Sequence, residues 1–190
     1  RAVLTLAIAR IFVNMTRRFS YPFIPEIART LDVSRKAVEN VVAMQAGVGV
    51  ASPAFGPLSE RFGRRRVMLG ALTLMALACL PGIFFKSYGV FLAAMVSFGI
   101  VKIIFDPAMQ AYISDRVHYR ERGFAIGVTE LSWAGSLIVA APLTGFLLKQ
   151  WDLNAVFLML FVASVSAIGL LVFFVPPDQA ADDVSRRVVA

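Results

Sequence analysis

The chain holds one cysteine, Cys79, and one histidine, His118. A lone cysteine closes no internal disulfide, and Cys79 lies inside an apolar run, where it reads as packing. His118 sits in the loop Arg116-Val-His-Tyr-Arg120 and reads as solvated. With it alone there is no histidine cluster for a metal and no Ser/His pair, and the apolar runs hold no paired aspartates. An intramembrane enzyme is therefore disfavoured, and nothing calls for a cofactor or a metal. Charge is also scarce. Asp, Glu, Lys and Arg make up 16% of the residues, against about 25% in a soluble domain. Acids are outnumbered by bases, 12 to 19, which leaves a formal charge of +7.

Apolar residues are abundant instead. They form 58% of the chain, Phe alone accounts for 16 positions, and the mean hydropathy is +0.74. That composition excludes a water-soluble domain, and the phenylalanine share suits lipid contact. At about 20 residues per crossing, the length allows about six helices with short loops. Six runs fit: 2–24, 37–58, 67–85, 88–113, 124–148 and 153–175. They are unbroken and do not alternate, which argues against strands. The expected fold is an all-α membrane protein of six transmembrane helices. In a soluble protein the positive charge would suggest nucleic acid. Here it lies mostly in short loops, so topology explains it and no nucleic-acid partner is expected.

The charges orient the spans. With the N-terminus inside, cytoplasmic segments hold Arg1, Arg61, Arg64, Arg65, Arg66, Arg116, Arg120, Arg122, Arg186 and Arg187. The opposite segments hold Arg29, Arg35, Lys36, Lys86 and Lys149. The excess predicts both termini in the cytoplasm, in a cell inner or plasma membrane. Pro176-Pro177 stops the last helix, so residues 1–177 read as the bundle and 178–190 as the start of a cytoplasmic linker. The chain opens on Arg1 and shows no cleavable signal peptide, so it reads as a piece of a longer protein.

An internal repeat is faintly legible. Span 2 ends Pro53-Ala-Phe-Gly56-Pro-Leu58 and span 5 ends Pro142-Leu-Thr-Gly145-Phe-Leu147. Arg17 precedes Pro22 by five residues, as Lys102 precedes Pro107. Two three-helix units of opposite sense are a common transporter device.

Ionisable groups divide the spans. Spans 3 and 6 have none, whereas spans 1, 4 and 5 carry Arg10, Arg17, Arg18, Lys102, Asp106 and Glu130. An unpaired charge at mid-membrane costs about 2.5–3.5 kcal/mol. The prediction is spans 1 and 4 inside, facing a polar cavity, with 5 as a further candidate for that position and 3 and 6 against lipid. Lys102 and Asp106 are four apart and able to pair. They form either a neutralised pair that lets the helix insert or a substrate or proton site. Arg10, Asn14 and Arg17 share one helical stripe. The surplus of bases hints at an anionic substrate or at an anionic group elsewhere, and Arg10 is placed to snorkel to the interface. Glu130 is either a proton acceptor or a partner for Arg17, Arg18 or Lys102. Ala43, Gly47 and Ala51, and likewise Ser132, Ser136 and Ala140, are small residues at four-residue spacing. They suit packing inside this bundle or a seam to another.

The basic turn Gly56-Pro-Leu-Ser-Glu60-Arg61-Phe-Gly63-Arg64-Arg65-Arg66 resembles motif A, the loop between helices 2 and 3 of major facilitator superfamily transporters. Gly56, Leu58, Arg61, Gly63, Arg64 and Arg65 match, and Glu60 stands where the family usually has Asp. Pro25, and Asp115 with Arg122 after helix 4, extend the likeness. Gly135, Pro142 and Gly145 resemble the helix-5 motif of antiporters, with Ala141 and Phe146 replacing two of its glycines. Met95 stands where an arginine is expected early in helix 4, although Gly99 fits the stretch after it. Proton coupling would therefore need Lys102 or Arg17 in that arginine's place. The resemblance implies a half of a twelve-helix protein, with a C-terminal six-helix half or a second copy as partner. It also implies transport of a small molecule across the bilayer by alternating access. Gly56, Leu58, Glu60, Arg61, Gly63, Arg64, Arg65, Asp115 and Arg122 would form a cytoplasmic gate. The expected activity is proton-coupled export. An uptake symporter, a uniporter and a non-transporting receptor or scaffold are the alternatives on the same fold.

Overall fold

A computed structural model describes residues 2–178, apart from the side chains of Ala54, Gly56, Pro57 and Leu58. Eight α-helices occur in order along the described residues: α1 (Ala2–Arg18), α2 (Ile24–Thr30), α3 (Arg35–Gly47), α4 (Ser52–Phe62), α5 (Arg64–Phe84), α6 (Tyr88–Arg116), α7 (Tyr119–Gln150) and α8 (Leu153–Phe174). No strand occurs among the described residues. The fold is all-α with six membrane-crossing units, as expected from the apolar runs.

The last four units, α5 to α8, are unbroken helices long and apolar enough to cross a membrane. The first two are broken, which the apolar runs did not reveal. Unit 1 runs through α1, a 3₁₀ turn at Tyr21–Phe23, and α2. Pro22 and Pro25 supply no N–H there, so the α-helical ladder is interrupted. Unit 2 runs through α3, a 3₁₀ turn at Val48–Ala51, and α4. Gly47 and Gly49 weaken the helix and Pro53 restarts it, seated in the first turn of α4. Irregular backbone at membrane depth is tolerated where it lines a cavity. Helix starts are fixed by side chains where possible. Ser34 Oγ accepts the N–H of Ala37 at 3.2 Å, and Asp152 Oδ1 accepts that of Leu153 at 2.7 Å.

The core runs between α1, α5, α6 and α8. α5 packs along both α6 and α8, and α1 packs along α7 and α8. Phe91, Phe98, Phe105, Tyr112 and Phe157 are buried to within 2% of full enclosure. Phe19 meets Phe157 edge-on, with ring centroids 6.4 Å apart. α6 contacts units 1, 2, 3 and 5 and is the central element. Spans 3 and 6 each bury one face and expose large apolar side chains on the other, among them Leu77, Leu158, Val162 and Phe173. Span 5 departs from the inside placement. α7 turns Ser132, Ser136, Ala140 and Thr144 inward and leaves Leu131, Trp133, Ile138 and Phe146 exposed. Its small face fits close to α1, where a Cβ on Gly135 would sit 3.6 Å from Ile11 Cδ1. Most of the remaining surface of α7 is apolar and exposed.

Candidate functional site

α1 delivers three of the six ionisable groups of spans 1, 4 and 5: Arg10, Arg17 and Arg18. Arg10 is buried, its side chain 7% exposed, and it is the hub of the cluster. Its Nε donates to Asp106 Oδ1 at 3.2 Å and its Nη2 to Asp106 Oδ2 at 3.4 Å. Its Nη1 donates to Glu130 Oε1 at 2.7 Å and to the Thr129 carbonyl at 3.0 Å. Lys102 Nζ donates to Asp106 Oδ2 at 2.7 Å and to Asn14 Oδ1 at 2.8 Å. Asn14 Nδ2 in turn reaches Ser132 Oγ at 3.5 Å. One polar network thus ties α1, α6 and α7 together. Its formal charges, Arg10 and Lys102 against Asp106 and Glu130, sum to zero.

The Lys102–Asp106 pair is present as the i,i+4 spacing suggested. The two acids, however, share Arg10, which the sequence had suggested would snorkel toward the interface. The signal was available. Two intramembrane acids require two nearby cations, and Arg10 lies on the same stripe as Asn14 and Arg17. Glu130 is bound by Arg10, not by Arg17, Arg18 or Lys102, and its side chain remains 52% exposed.

Beside the network lies a cavity of about 310 Å³ between the end of α1, the break in unit 2, and α6. Arg17, Gln45, Ser52, Lys102, Asp106 and Gln110 supply its polar lining, and Pro107 of α6 also lines it. Asn14 and Glu130 sit behind it in the network rather than on its wall. Arg18 does not line it either. Its guanidinium stacks 4.0 Å from the centroid of Trp133. This corrects the expectation that all the charges of spans 1, 4 and 5 surround one hollow. Arg17 and Arg18 are consecutive on a helix, so their side chains diverge by about 100°.

At the end of the bundle where α5 begins, Arg64 pairs with Asp115 and also donates to the Ala111 carbonyl. Gly63 has φ +87°, the left-handed region that favours glycine. A Cβ there would lie 2.7 Å from Asp178 Oδ2. Asp178 accepts the Arg65 backbone N–H at 3.0 Å, and Arg65 Nη2 reaches the Val172 carbonyl at 2.9 Å. Glu60 and Arg61 are exposed. Arg122 does not join this group: its Nε donates to the Val117 carbonyl at 3.2 Å, and its guanidinium lies 5.7 Å from the Tyr119 ring. The side chains of Gly56 and Leu58 lie outside the described residues. In α7, Gly145 admits the Phe23 ring, to which a Cβ would approach within 3.0 Å, and Pro142 is exposed within the helix.

An all-α bundle with membrane-length helices and a charge-balanced polar network between them is a polytopic membrane protein. The chain belongs to the major facilitator superfamily, whose profile matches residues 6–188. Multidrug resistance protein D of Escherichia coli (strain K12) is 25% identical over 177 residues, covering 93% of this chain and 45% of that protein. The bicyclomycin resistance protein homolog of Haemophilus influenzae is 24% identical over 178 residues, covering 92% and 44%. The crystal structure of the human organic anion transporter MFSD10 (TETRAN) superposes with a TM-score of 0.76 at 16% identity, covering 93% of this chain and 47% of that one. The chain therefore spans about half the length of these relatives.

Proposed function

We propose that this chain is the N-terminal six-helix half of a secondary transporter that moves a small molecule by alternating access, as proton-coupled export. Residues 1–177 are the bundle and 178–190 begin the cytoplasmic linker, with both termini on the cytoplasmic side of a cell inner or plasma membrane. The residues described lie between Ala2 and Asp178; those from 179 onward lie outside them. The partner is a C-terminal six-helix half, and a second copy is the other way to complete the site.

The carrying observation is the Arg10–Asp106–Lys102–Glu130 network, whose Lys102 and Asp106 line a cavity built at a helix break. A purely structural ion-pair cluster needs no cavity beside it, and broken helices at mid-membrane are where transporters bind cargo. Within the network the two acids differ. Asp106 is held by two cations, and Glu130 by Arg10 alone with half its side chain open. Glu130 is the group placed to exchange a proton with water, and its protonation would release one arm of Arg10. That release lets α7 shift against α1, a two-state step of the kind that rocking bundles use. At the cytoplasmic end, Arg64–Asp115 ties α5 to α6 and leaves Glu60 and Arg61 facing outward for a second bundle. Export, rather than uptake, is favoured by the resistance names of the relatives.

The test is pH-gradient-driven flux by the complete protein in proteoliposomes. Glu130→Gln should abolish coupling while leaving substrate exchange, and Asp106→Asn should abolish both. Gradient-driven flux unaffected by Glu130→Gln would remove the proton assignment.

A further inference from the structure

Resting on the transport reading, we propose that the cavity takes the anionic group of a small organic acid, with Arg17 as its counter-ion. The acid also carries a hydrogen-bond donor, which Gln45 accepts.

The argument starts from charge already spent. On the cavity wall Lys102 is committed to Asp106 and Asn14, and both oxygens of Asp106 are taken by Arg10 and Lys102. Arg10 and Glu130 complete a neutral set. Arg18 is stacked on Trp133. Arg17 alone remains: it lines the cavity half-buried, and among the described residues no carboxylate or other acceptor pairs with it. The wall therefore presents one uncompensated positive charge. A guanidinium presents a planar fork of donors that matches a carboxylate or a related oxyanion.

Gln45 supplies the second, independent observation. It is 3% exposed, lines the same cavity, and its Nε2 donates to the Thr16 carbonyl at 3.4 Å. Its Oε1 is buried without a donor. Flipping the amide gives no relief, because Oε1 would then face the Thr16 carbonyl, acceptor against acceptor. A buried acceptor left unmet costs about 1–3 kcal/mol, so Gln45 gains by turning Oε1 into the cavity once a ligand offers an N–H or O–H there. A cation without an anion and an acceptor without a donor on one cavity wall select an acid bearing a hydroxyl, amine or amide N–H.

The experiment is equilibrium binding to the complete protein in lipid nanodiscs, with benzoate, 3- and 4-hydroxybenzoate, benzamide and benzylamine as probes. The acids should bind about tenfold or more tighter than benzamide and benzylamine. Arg17→Gln should erase that preference, and Arg17→Lys should keep part of it. Arg18→Gln removes the same charge away from the cavity and should leave the preference intact. Gln45→Met should cancel the advantage of at least one hydroxybenzoate over benzoate while leaving benzoate unchanged. Saturable binding by none of the three acids at millimolar concentration, equal or tighter binding of benzylamine, or an anion preference that survives Arg17→Gln would each overturn the assignment. The last result would mean that Arg17 is neutralised elsewhere in the complete protein. Flux measured in parallel separates the two readings. Coupled flux of an uncharged compound, without acid binding, sinks the anion site alone. Acid binding without flux sinks the transport reading alone.

Discussion

Arg10 is the residue whose removal tests the interior network most directly. Among the described residues its guanidinium is the only group that touches both acids, and its side chain is 7% exposed. Arg10→Met keeps length and apolar stem and removes the charge. Asp106 retains Lys102, but Glu130 loses the only cation that contacts it among the described residues, and the set carries a net negative charge inside the bundle. Breaking a buried pair from one side costs about 3–5 kcal/mol. Glu130 is half exposed and partly solvated, so the lower end applies, about 3 kcal/mol, a factor of about 100 in the folding constant. Glu130→Gln alone should cost about 1 kcal/mol, because solvent screens its half of the pair. The double variant Arg10→Met/Glu130→Gln restores a formal sum of zero. It should therefore fall short of the sum of the singles by about 1 kcal/mol or more, the coupling of residues that share one network. The assay is equilibrium unfolding in mixed micelles, followed by helical circular dichroism. A cost below about 1 kcal/mol for Arg10→Met, or strict additivity in the double variant, would refute the balanced-cluster reasoning.

Three further outcomes rest on single contacts. Gly63→Ala forces an L side chain to φ +87° against Asp178, so it should cost about 1–3 kcal/mol, and adding Asp178→Ala should not restore the backbone part, read in the same unfolding assay. Gly82→Ala and Gly99→Ala should each cost about 1–3 kcal/mol, since a Cβ would stand 2.4 Å from the Phe157 ring and 2.8 Å from the Gln45 carbonyl, whereas Gly70→Ala, with nothing within 4 Å, should cost nothing; thermal midpoints of the three variants decide. Burial alone would push the Asp152 carboxyl up, but the Lys86 hydrogen bond and the Leu153 N–H outweigh it and hold the group below its ordinary value. A depressed folded value means the contribution is complete above about pH 4, the ordinary carboxylate value, and is lost as pH falls through the lower folded one. Asp152→Asn, which keeps the helix cap, should remove that acid-dependent loss from a stability–pH series.

The legible part of the sequence reflects strong physical penalties. Spans 3 to 6 were bounded within a few residues because long apolar runs ended at charges or prolines. The breaks in units 1 and 2 do not show in the apolar runs, although Pro22, Pro25, Gly47, Gly49 and Pro53 stand in the sequence. A hydropathy run reports what the side chains prefer and says nothing about whether the backbone ladder is continuous. In the same way the Lys102–Asp106 pair was readable from spacing on one helix, whereas Arg10 with Glu130 joins residues 120 apart in sequence. Charge counting required such a contact but did not name it. Asp178 on the α5 start was illegible for a further reason: it is a polar residue after a proline stop, and only the folded chain brings it under Gly63.

The two small-residue stripes show how one pattern takes opposite roles. Ser132, Ser136 and Ala140 on α7 are buried against α1, and Ala43, Gly47 and Ala51 on unit 2 are exposed. Spacing alone does not separate them. The opposite face of each helix does. α3 also carries Val38, Val41, Val42 and Gln45, a larger face that the bundle buries first, and burial of that face against α6 turns the small residues outward. α7 has no competing inward face, since its other sides hold large apolar groups suited to lipid or to a neighbouring bundle. Its hydroxyl-bearing stripe is also the one able to meet Asn14. A polar partner inside the bundle, added to small size, decides which stripe closes inward. The exposed stripe of unit 2 adjoins the cavity at Gly49 and Ser52, on a flank that the described residues leave uncovered.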